Sequence, residues 1–367
     1  MNISLRSNTD TRSAFWDNFK CILIALVVLG HFLYALRNNT MIGSIVTAIY
    51  FFHMPAFIFA SGFFGKSKNA KSAGSIVKLL CAYLLLTAVH LFLLLFQGGS
   101  SFSITSPYYS AWYLLALIVW RMTTPYFARS KWSLLIMLVA SILCGFWGDI
   151  QNEFALSRII AYYPYYLAGY MLSKEDALKI EELRPSLKRI AVGILSICIA
   201  ACIALFVVQK LNLGYQAAFN PYDYSRLPVH ILARILCYII SSLCIIGLML
   251  LTPRAKLSFI TKAGRNTLSI YLIHRPVIVV LSKFIAKLSL PLIFVAAALF
   301  VAVSLLVFGS ELVSDLVNKV IGFVTTGFLP SKDNETKVGI GVRTAAIALV
   351  FAILAVPLLA YLVKTVF

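Results

Sequence analysis

The sequence predicts an all-α polytopic membrane protein, a helical bundle of about ten core transmembrane helices. Hydrophobic residues make up 61% of the 367-residue chain and charged residues only 12%, whereas ordinary soluble domains contain about 25% charged residues. Apolar runs long enough to cross a bilayer, about 20 residues each, recur along the whole chain. An open sheet would leave backbone groups unpaired in lipid, so these runs are predicted to be helices.

The apolar runs follow one another from end to end. We place the core spans near residues 20–36, 43–64, 77–96, 109–121, 132–148, 155–172, 190–209, 230–251, 266–282 and 289–309. Residues 311–330 are ambiguous, and a further apolar run lies at 344–363. We therefore expect a core over residues 1–310, and a C-terminal part over 311–367 that adds a polar loop and one more transmembrane helix.

Basic residues cluster after the even-numbered runs. Lysines follow the second run, a basic segment from Lys174 to Arg189 follows the sixth, and residues 97–107 after the third contain no Lys or Arg. Because cytoplasmic loops are enriched in Lys and Arg, we expect a cytoplasmic N-terminus in a bacterial cytoplasmic membrane. The net charge of +19 then reflects topology and not a nucleic-acid partner, although such clusters also suit anionic lipids or the phosphates of a cytosolic ligand.

Three histidines are predicted to lie at a similar depth in the bilayer. At about 1.5 Å per residue, His31 lies about 16 Å from Lys20 and His274 about 13 Å from Arg265, and His53 lies mid-span in a helix of opposite direction. A single intramembrane His often only locks helices together. Three at one depth favour a functional cavity, in which histidine, with an ordinary pKa of about 6.5, suits general-base chemistry.

Several other site types lack their usual motifs. The chain contains no GxxxxGK[ST], HExxH or GxSxG pattern and no GxGxxG after a strand, which disfavours nucleotide-binding, zinc-protease and serine-hydrolase functions. Its seven cysteines contain no CxxC pair. We therefore expect no metal site, and we interpret the cysteines as packing residues.

Five segments in order carry a family resemblance: "WDNFKCILIALVVLGHF", "IYFFHMPAFIFASGFF", "AWYLLALIVW", "YYPYYLAGYML" and "AGRNTLSIYLIHRP". Together they resemble the membrane acyltransferase-3 family, especially its fucose 4-O-acetylase-like branch. The resemblance implies a ten-helix enzyme that moves an acyl group, usually acetyl, from cytosolic acyl-CoA to a carbohydrate hydroxyl. The acceptor would be an envelope polysaccharide or a lipid-linked precursor, with acetyl-CoA as co-substrate and no bound cofactor.

The resemblance also implies roles for particular residues. His31 corresponds to the first-span histidine that is considered essential in the family, and Asp17 and Lys20 to the acidic and basic residues before it. The remaining matches are His53, Pro55, Ser61 and Gly62 in the second span, Trp112 and Tyr113 in the fourth, and Asn266, Tyr271 and His274 in the ninth.

This sequence departs from the family pattern in the basic residues that are expected to bind acyl-CoA. Many relatives carry paired arginines after the second span, where this chain has only lysines, with Lys78 the nearest candidate. Lysine lacks the bidentate fork that arginine offers to phosphate, so the mode of CoA binding stays open. We expect the CoA phosphates near Lys20, Lys66, Lys68 or Lys78.

The predicted mechanism makes His31 the general base, with His53 or His274 orienting it or stabilising oxyanion charge. A covalent acyl-histidine is the second possibility. Structural interpretations compete for the other residues: an Asp17–Lys20 ion pair, and close helix packing at Ser61 and Gly62. Trp112 and Tyr113 are either interface aromatics or stack on a carbohydrate. Arg158, Arg234 and Arg275 either bind an anionic acceptor or snorkel to the interface, and snorkelling is favoured for the first two. The rival function is a transporter or flippase that uses a His-lined cavity, and a purely structural role is third.

Overall fold

The computed structural model describes residues 13–97, 106–107, 110–146, 153–208 and 227–326, and these form helices and short connections without strands. The helices are α1 Ala14–Tyr34, α2 Thr40–Gly65, α3 Ala73–Phe96, α4 Trp112–Phe127, α5 Ser133–Leu143, α6 Leu156–Met171, α7 Lys174–Val208, α8 Leu227–Leu251, α9 Ser258–Arg265, α10 Thr267–Ile285, α11 Leu290–Val303 and α12 Glu311–Thr326. A π-helical turn, Ser304–Phe308, continues α11.

The predicted class, an all-helical membrane protein, is confirmed. In the described part of the chain, six helices are long and apolar enough to cross a bilayer: α1, α2, α3, residues 231–251 of α8, α10, and α11 with its π-helical turn. Residues 133–146 form a shorter apolar stretch. The predicted run at 344–363 lies outside the described residues.

Two buried helices, α1 and α2, organise the bundle. α1 packs against α2, α9, α10 and α11, and α2 packs against α6, α7 and α8. Small residues allow some of these contacts: a Cβ atom on Gly264 would overlap the backbone carbonyl of Asp17, so α9 touches the main chain of α1. The contacts hold α9 and the start of α10 against α1, although these segments lie far apart in the chain.

The contact between α2 and α6 also depends on glycine. A Cβ on Gly62 would overlap the carbonyl oxygen of Tyr166, and one on Gly169 would overlap that of Phe59. Small residues let helix backbones approach closely in membranes. The interpretation of Gly62 as a packing residue is therefore confirmed.

The start of the C-terminal part is a helix, over a stretch that is ambiguous from the sequence. Residues 311–326 form α12, which packs against α3 and α10 with Ile321 and Thr325 buried. Apolar residues recur in α12 at helical spacing between charged ones, and this amphipathic pattern stabilises a helix on the bundle surface. An ion pair between Glu311 and Lys262, 3.2 Å long, fixes its first turn.

Five lysines lie at the same end of the bundle, and we call this end the lysine-rich face: Lys20, Lys66, Lys71, Lys174 and Lys262. Asn18 joins two of its segments, donating from Nδ2 to the carbonyls of Pro253 and Ala255, both at 2.9 Å. Its Oδ1 accepts a 2.7 Å hydrogen bond from Thr261. The start of α1, the end of α8 and α9 are thereby tied together. That this face is cytoplasmic stays a prediction.

Candidate active site

The centre of the candidate site is a pair of histidines from two helices that pack side by side. The Nδ1 atom of His31 on α1 lies 3.0 Å from the Nε2 atom of His274 on α10. Their rings are nearly parallel, with centroids 5.2 Å apart and an interplanar angle of 16°. His274 is fully buried, whereas His31 is only half-buried. The two residues therefore form a hydrogen-bonded pair of which only His31 is accessible.

The hydrogen bonds assign a tautomer to each ring when both are neutral. The Nδ1 atom of His274 lies 2.9 Å from the carbonyl oxygen of Ile270, and because a carbonyl only accepts, this nitrogen carries the proton. The Nε2 atom of a neutral His274 is then an acceptor, so His31 donates to it from Nδ1. The Nε2 atom of His31 is left with a lone pair, as a general base requires.

The third histidine, His53, lies near this pair, with the ring of Tyr50 next to both His53 and His31. The ring of Tyr50 is 4.7 Å from that of His53 and 6.1 Å from that of His31, between centroids. His53 is buried and donates from Nδ1 to the carbonyl oxygen of Ile49 at 2.8 Å. Among the described residues its Nε2 atom has no hydrogen-bond partner. We use the name histidine site for His31, His53 and His274 together with Tyr50.

Two tyrosines, Tyr113 of α4 and Tyr271 of α10, extend the site. The ring of Tyr271 lies 5.9 Å from that of His274 and 5.4 Å from that of Tyr113. The hydroxyl groups of Tyr113 and Ser61 are hydrogen-bonded at 2.6 Å, and the hydroxyl of Tyr271 donates to the backbone carbonyl of Ser110. The structure thus connects Tyr113 and Tyr271 to the histidine site, buried inside the bundle.

Trp112 lies in a separate aromatic cluster. Its ring stacks on Tyr162 at 5.3 Å, and the guanidinium carbon of Arg158 lies 5.6 Å from its centroid. Trp112 is buried, so neither it nor Tyr113 belongs to a lipid-facing aromatic belt. The snorkelling interpretation of Arg234 is wrong: the side chain is buried and donates to the carbonyl of Ser141 at 2.5 Å, because α5 offers a polar backbone acceptor inside the bundle.

The residues predicted to bind acyl-CoA lie at the lysine-rich face. Asp17 is buried and pairs with Lys20 at 3.1 Å, as the sequence suggested, and also with Arg265 at 3.2 Å. His31 is 14 residues further along α1, about 21 Å away. Asn266 donates to the carbonyl of Gly309 at 2.9 Å and so holds the π-helical turn against the start of α10. The structure does not bring Asp17 or Asn266 into the histidine site.

The lysines at this face differ in their surroundings. Lys66 donates to the carbonyl of Leu172 at the end of α6, and its ammonium lies 4.1 Å from the ring centroid of Phe63. Burial and the nearby Lys174 lower the pKa of Lys66, and Glu175 partly opposes this effect. Lys68 and Lys78 are exposed. Lys66 is thus a partly buried candidate for a phosphate ligand, unlike Lys68 and Lys78.

The structure adds residues that the sequence analysis did not select. Arg121 donates to the hydroxyl of Ser75 at 2.8 Å, and its Nε atom is buried without a hydrogen-bond partner in the described part of the chain. It lies close enough to Tyr113 and Tyr166 to interact with them electrostatically. Tyr50 was also missed, although its position three residues before His53 puts both on one helix face.

No metal-binding geometry was found in the described residues: nowhere do three or more His, Cys, Asp or Glu side chains converge in a way that could hold an ion. The two hydrogen-bonded histidines have no third such group beside them.

Comparison with known proteins identifies the family. A family model described as an acyltransferase domain matches residues 13–309, a region that contains all three histidines of the site. No curated protein and no solved structure gave a significant match. The match covers most of the chain and agrees with an all-helical membrane fold. The chain belongs to the acyltransferase-3 family of membrane acyltransferases.

Proposed function

We propose that this membrane acyltransferase is an O-acetyltransferase that uses acetyl-CoA and acts on a hydroxyl group of an envelope carbohydrate or lipid-linked sugar. The observation that carries the proposal is the hydrogen bond between His31 and His274, which leaves Nε2 of His31 free to accept a proton. A transfer of acetyl to a hydroxyl needs a base at this point of the reaction.

In the proposed step one proton is transferred, and the C–S bond of the thioester is replaced by the C–O bond of an ester. Nε2 of His31 takes the proton of the acceptor hydroxyl while the hydroxyl oxygen attacks the thioester carbonyl carbon. The resulting tetrahedral intermediate collapses with loss of the CoA thiolate. The proton on Nε2 of His31 then passes to the thiolate, which leaves as CoA thiol and restores the neutral histidine pair.

His274 acts as a positioning residue in this scheme. Its Nε2 atom accepts the Nδ1 proton of His31 throughout, so the ring stays oriented and the imidazolium that forms is stabilised by a hydrogen bond. The carbonyl of Ile270 fixes His274 in turn. This arrangement resembles the way a buried acceptor orients the catalytic histidine of hydrolases, with a neutral imidazole in place of a carboxylate.

The same geometry also allows a covalent variant, in which Nε2 of His31 attacks the thioester and an acetyl-imidazole then transfers its acyl group to the acceptor. Both variants use the same lone pair. They differ in whether a labelled acetyl group stays on the protein when acetyl-CoA is supplied without acceptor.

We infer that acyl-CoA approaches from the lysine-rich face. Lys66 there is partly buried beside Lys174, and a bound phosphate would relieve the unfavourable proximity of these two cations. Arg121 lies between this face and the Tyr113 hydroxyl, so its guanidinium could hold a polar part of the donor inside the bundle. Lys20, Lys68 and Lys78 remain further candidates for phosphate contacts.

A carbohydrate acceptor is supported by the resemblance to the fucose 4-O-acetylase-like branch. The aromatic rings of Tyr113 and Tyr271 beside His274 also suit a sugar ring. The transporter alternative would use the same histidine site, but the family match favours a transferase.

The test is transfer of radiolabelled acetyl from acetyl-CoA to envelope glycan in membranes that contain the protein. We expect the wild type to transfer label and His31→Ala to lose transfer at an equal protein level. Ser44→Ala is the control, because it removes a buried hydroxyl of α2 whose hydrogen-bond partner among the described residues is the carbonyl of Thr40, and it should keep wild-type activity. Equal transfer by His31→Ala and the wild type would refute the role of His31.

A further inference from the structure

Burial along α1 indicates from which end of the bundle His31 is reached. On the same side of α1, the residues one and two turns closer to the lysine-rich face are all buried: Val27, Val28 and Ile24. One turn in the other direction, Tyr34 is half-buried, as His31 itself is. The accessible part of His31 therefore opens towards the end of the bundle opposite to the lysine-rich face.

This accessible part is not on the lipid-facing side of α1. The half-buried apolar residues of the helix form one stripe at helical spacing: Ile22, Ala25, Leu26 and Leu29. At 3.6 residues per turn, His31 and Tyr34 lie on the side opposite to this stripe. The ring of Tyr50 on α2 lies there too, 6.1 Å from that of His31 and 5.6 Å from that of Tyr34. The route to His31 therefore passes between two helices of the protein.

Two aromatic rings line this route. Those of Tyr34 and Tyr50 are stacked with an interplanar angle of 25°, and both residues are half-buried. Gly30 makes room for them, since a Cβ atom at this position would lie 3.1 Å from side-chain carbons of both Tyr50 and Ile49. The absence of a side chain at Gly30 thus lets the ring of Tyr50 lie against α1 next to His31.

An arginine with an oriented guanidinium ends this stack of rings. The guanidinium carbon of Arg37 lies 4.2 Å from the ring centroid of Tyr34, and Nη1 donates to the carbonyl oxygen of Tyr34 at 3.1 Å. Arg37 is exposed, and no carboxylate of the described residues forms an ion pair with it. A guanidinium stacked on an aromatic face keeps its N–H edge available for a carboxylate or phosphate. We call Tyr34, Tyr50 and Arg37 the access strip.

We propose that the access strip binds an acidic group of the acceptor, with the carboxylate or phosphate on the guanidinium of Arg37. The inference rests on the proposed function and extends it, because acetyl transfer to a sugar requires neither an acidic acceptor nor this subsite. Arg37 is six residues after His31, about 9 Å along α1. The hydroxyl that receives the acetyl group would lie at Nε2 of His31, with the acidic group on the same sugar or the next one.

The competing interpretation is that Arg37 only caps the end of α1. Cations near a helix C-terminus stabilise the helix, and the hydrogen bond to the carbonyl of Tyr34 is of this kind. A cap would influence neither the charge preference of molecules that reach His31 nor the binding of an acidic sugar. These two properties therefore distinguish a binding site from a cap.

A labelling test needs neither activity nor a known acceptor. In membranes that contain His31→Cys, the rates of reaction with an anionic and a cationic methanethiosulfonate of similar size are compared, with the wild-type chain as background. We expect Arg37→Gln to lower the ratio of the anionic to the cationic rate at least threefold. A ratio unchanged by Arg37→Gln, or a residue 31 that reacts with neither reagent, would overturn the proposal.

The matched control for this test is Arg129→Gln. Arg129 is also exposed, and its guanidinium carbon lies 5.6 Å from the ring centroid of a tyrosine, Tyr126. It follows α4 and does not belong to the access strip, so its substitution should leave the ratio unchanged. An equal decrease for Arg37→Gln and Arg129→Gln would show a general effect of protein charge and would contradict the proposal.

Protection of His31→Cys against an uncharged thiol reagent tests which ligand binds. The probes are a galacturonate oligosaccharide, the same oligosaccharide with its carboxyl groups reduced, and the reduced form carrying a phosphate. We expect half-maximal protection by at least one acidic probe at a concentration at least fivefold lower than by the neutral one, and Arg37→Gln should remove this difference. The more effective acidic probe identifies carboxylate or phosphate as the group. Equal protection by all three probes, or none by any, would refute the acidic subsite.

The labelling ratio separates this inference from the proposed function. A ratio that depends on Arg37 in a protein that transfers no acetyl group would support the access strip and refute the acetyltransferase. Acetyl transfer by a protein whose labelling ratio and protection do not change with Arg37→Gln would support the enzyme and refute the access strip.

Discussion

The lysine-rich face and the histidine site satisfy their polar groups in opposite ways. At the face, Asp17 has two cationic partners, and Asn18 uses both its amide donors and its carbonyl. In the histidine site, the hydrogen-bond partners of His31 and His274 among the described residues are all neutral, and His53 keeps a buried Nε2 atom without a hydrogen bond in that part of the bundle. Fully paired groups stabilise a fold, whereas groups left with spare hydrogen-bonding capacity are typical of sites that act on another molecule.

The largest change in kcat should come from a substitution in the histidine site. His31→Gln keeps a polar side chain but removes the base, so we expect kcat for acetyl transfer to fall about 10²- to 10⁴-fold. The melting temperature in detergent should change little, because His31 is only half-buried. A large loss of stability without a loss of rate per folded molecule would reverse the proposed roles of the two regions.

A substitution near the lysine-rich face should instead lower the stability of the fold. Gly62→Ala would push a methyl group into the carbonyl of Tyr166, and overpacking of this kind costs about 1–3 kcal/mol or more. Gly193→Ala in α7 is the matched control, since its added Cβ meets nothing within 4 Å. We expect thermal unfolding of Gly62→Ala at a clearly lower temperature and no such decrease for Gly193→Ala. Equal melting temperatures would show that α2 and α6 are not held together at this contact.

The substitution Asp17→Asn tests whether the ion pairs at the lysine-rich face contribute to stability and not to catalysis. It leaves Lys20 and Arg265 without their carboxylate, and because these cations are partly exposed we expect a loss of about 1–2 kcal/mol, between the values for exposed and buried pairs. The measurement is unfolding in denaturing detergent. The kcat of the folded fraction should stay near that of the wild type, and a kcat loss as large as that of His31→Gln would contradict a structural role.

The smallest predicted effect concerns pH and Lys66. Burial and Lys174 lower the pKa of this ammonium, so Lys66 loses its charge at a lower pH than an ordinary lysine. If it binds a CoA phosphate, KM for acetyl-CoA should rise as the pH rises through this lowered pKa. Lys66→Arg, which keeps its charge, should remove the rise, whereas Lys68→Arg should not, because Lys68 is exposed. The same pH dependence in wild type and Lys66→Arg would exclude Lys66 as the group that titrates.

The sequence was sufficient for the helical membrane class and for the layer of histidines, since both follow from hydropathy and the rise of a helix. It could also suggest the ion pair of Asp17 with Lys20, because residues three apart share a helix face. It could not tell which two histidines touch. The contact depends on the orientation in which α10 packs against α1, since His31 and His274 are 243 residues apart in the chain. It also depends on the glycine contact that brings α9 against Asp17.

Two further features could not be predicted from the sequence pattern, for physical reasons. Arg265 pairs with Asp17 across 248 residues, and no local spacing encodes that contact. The stretch 311–330 is ambiguous from the sequence because its charged residues lower the mean hydropathy, although the apolar residues of the helix at 311–326 are spaced for one buried face.

The central claim is that His31 and His274 act as one unit. A double-mutant cycle tests it most directly: kcat for acetyl transfer is measured for His31→Gln, for His274→Gln and for the double variant, each normalised to folded protein. We predict that the double variant is no slower than His31→Gln, because His274 acts only through the base that this change removes. Independent effects that multiply in the double variant would contradict the account.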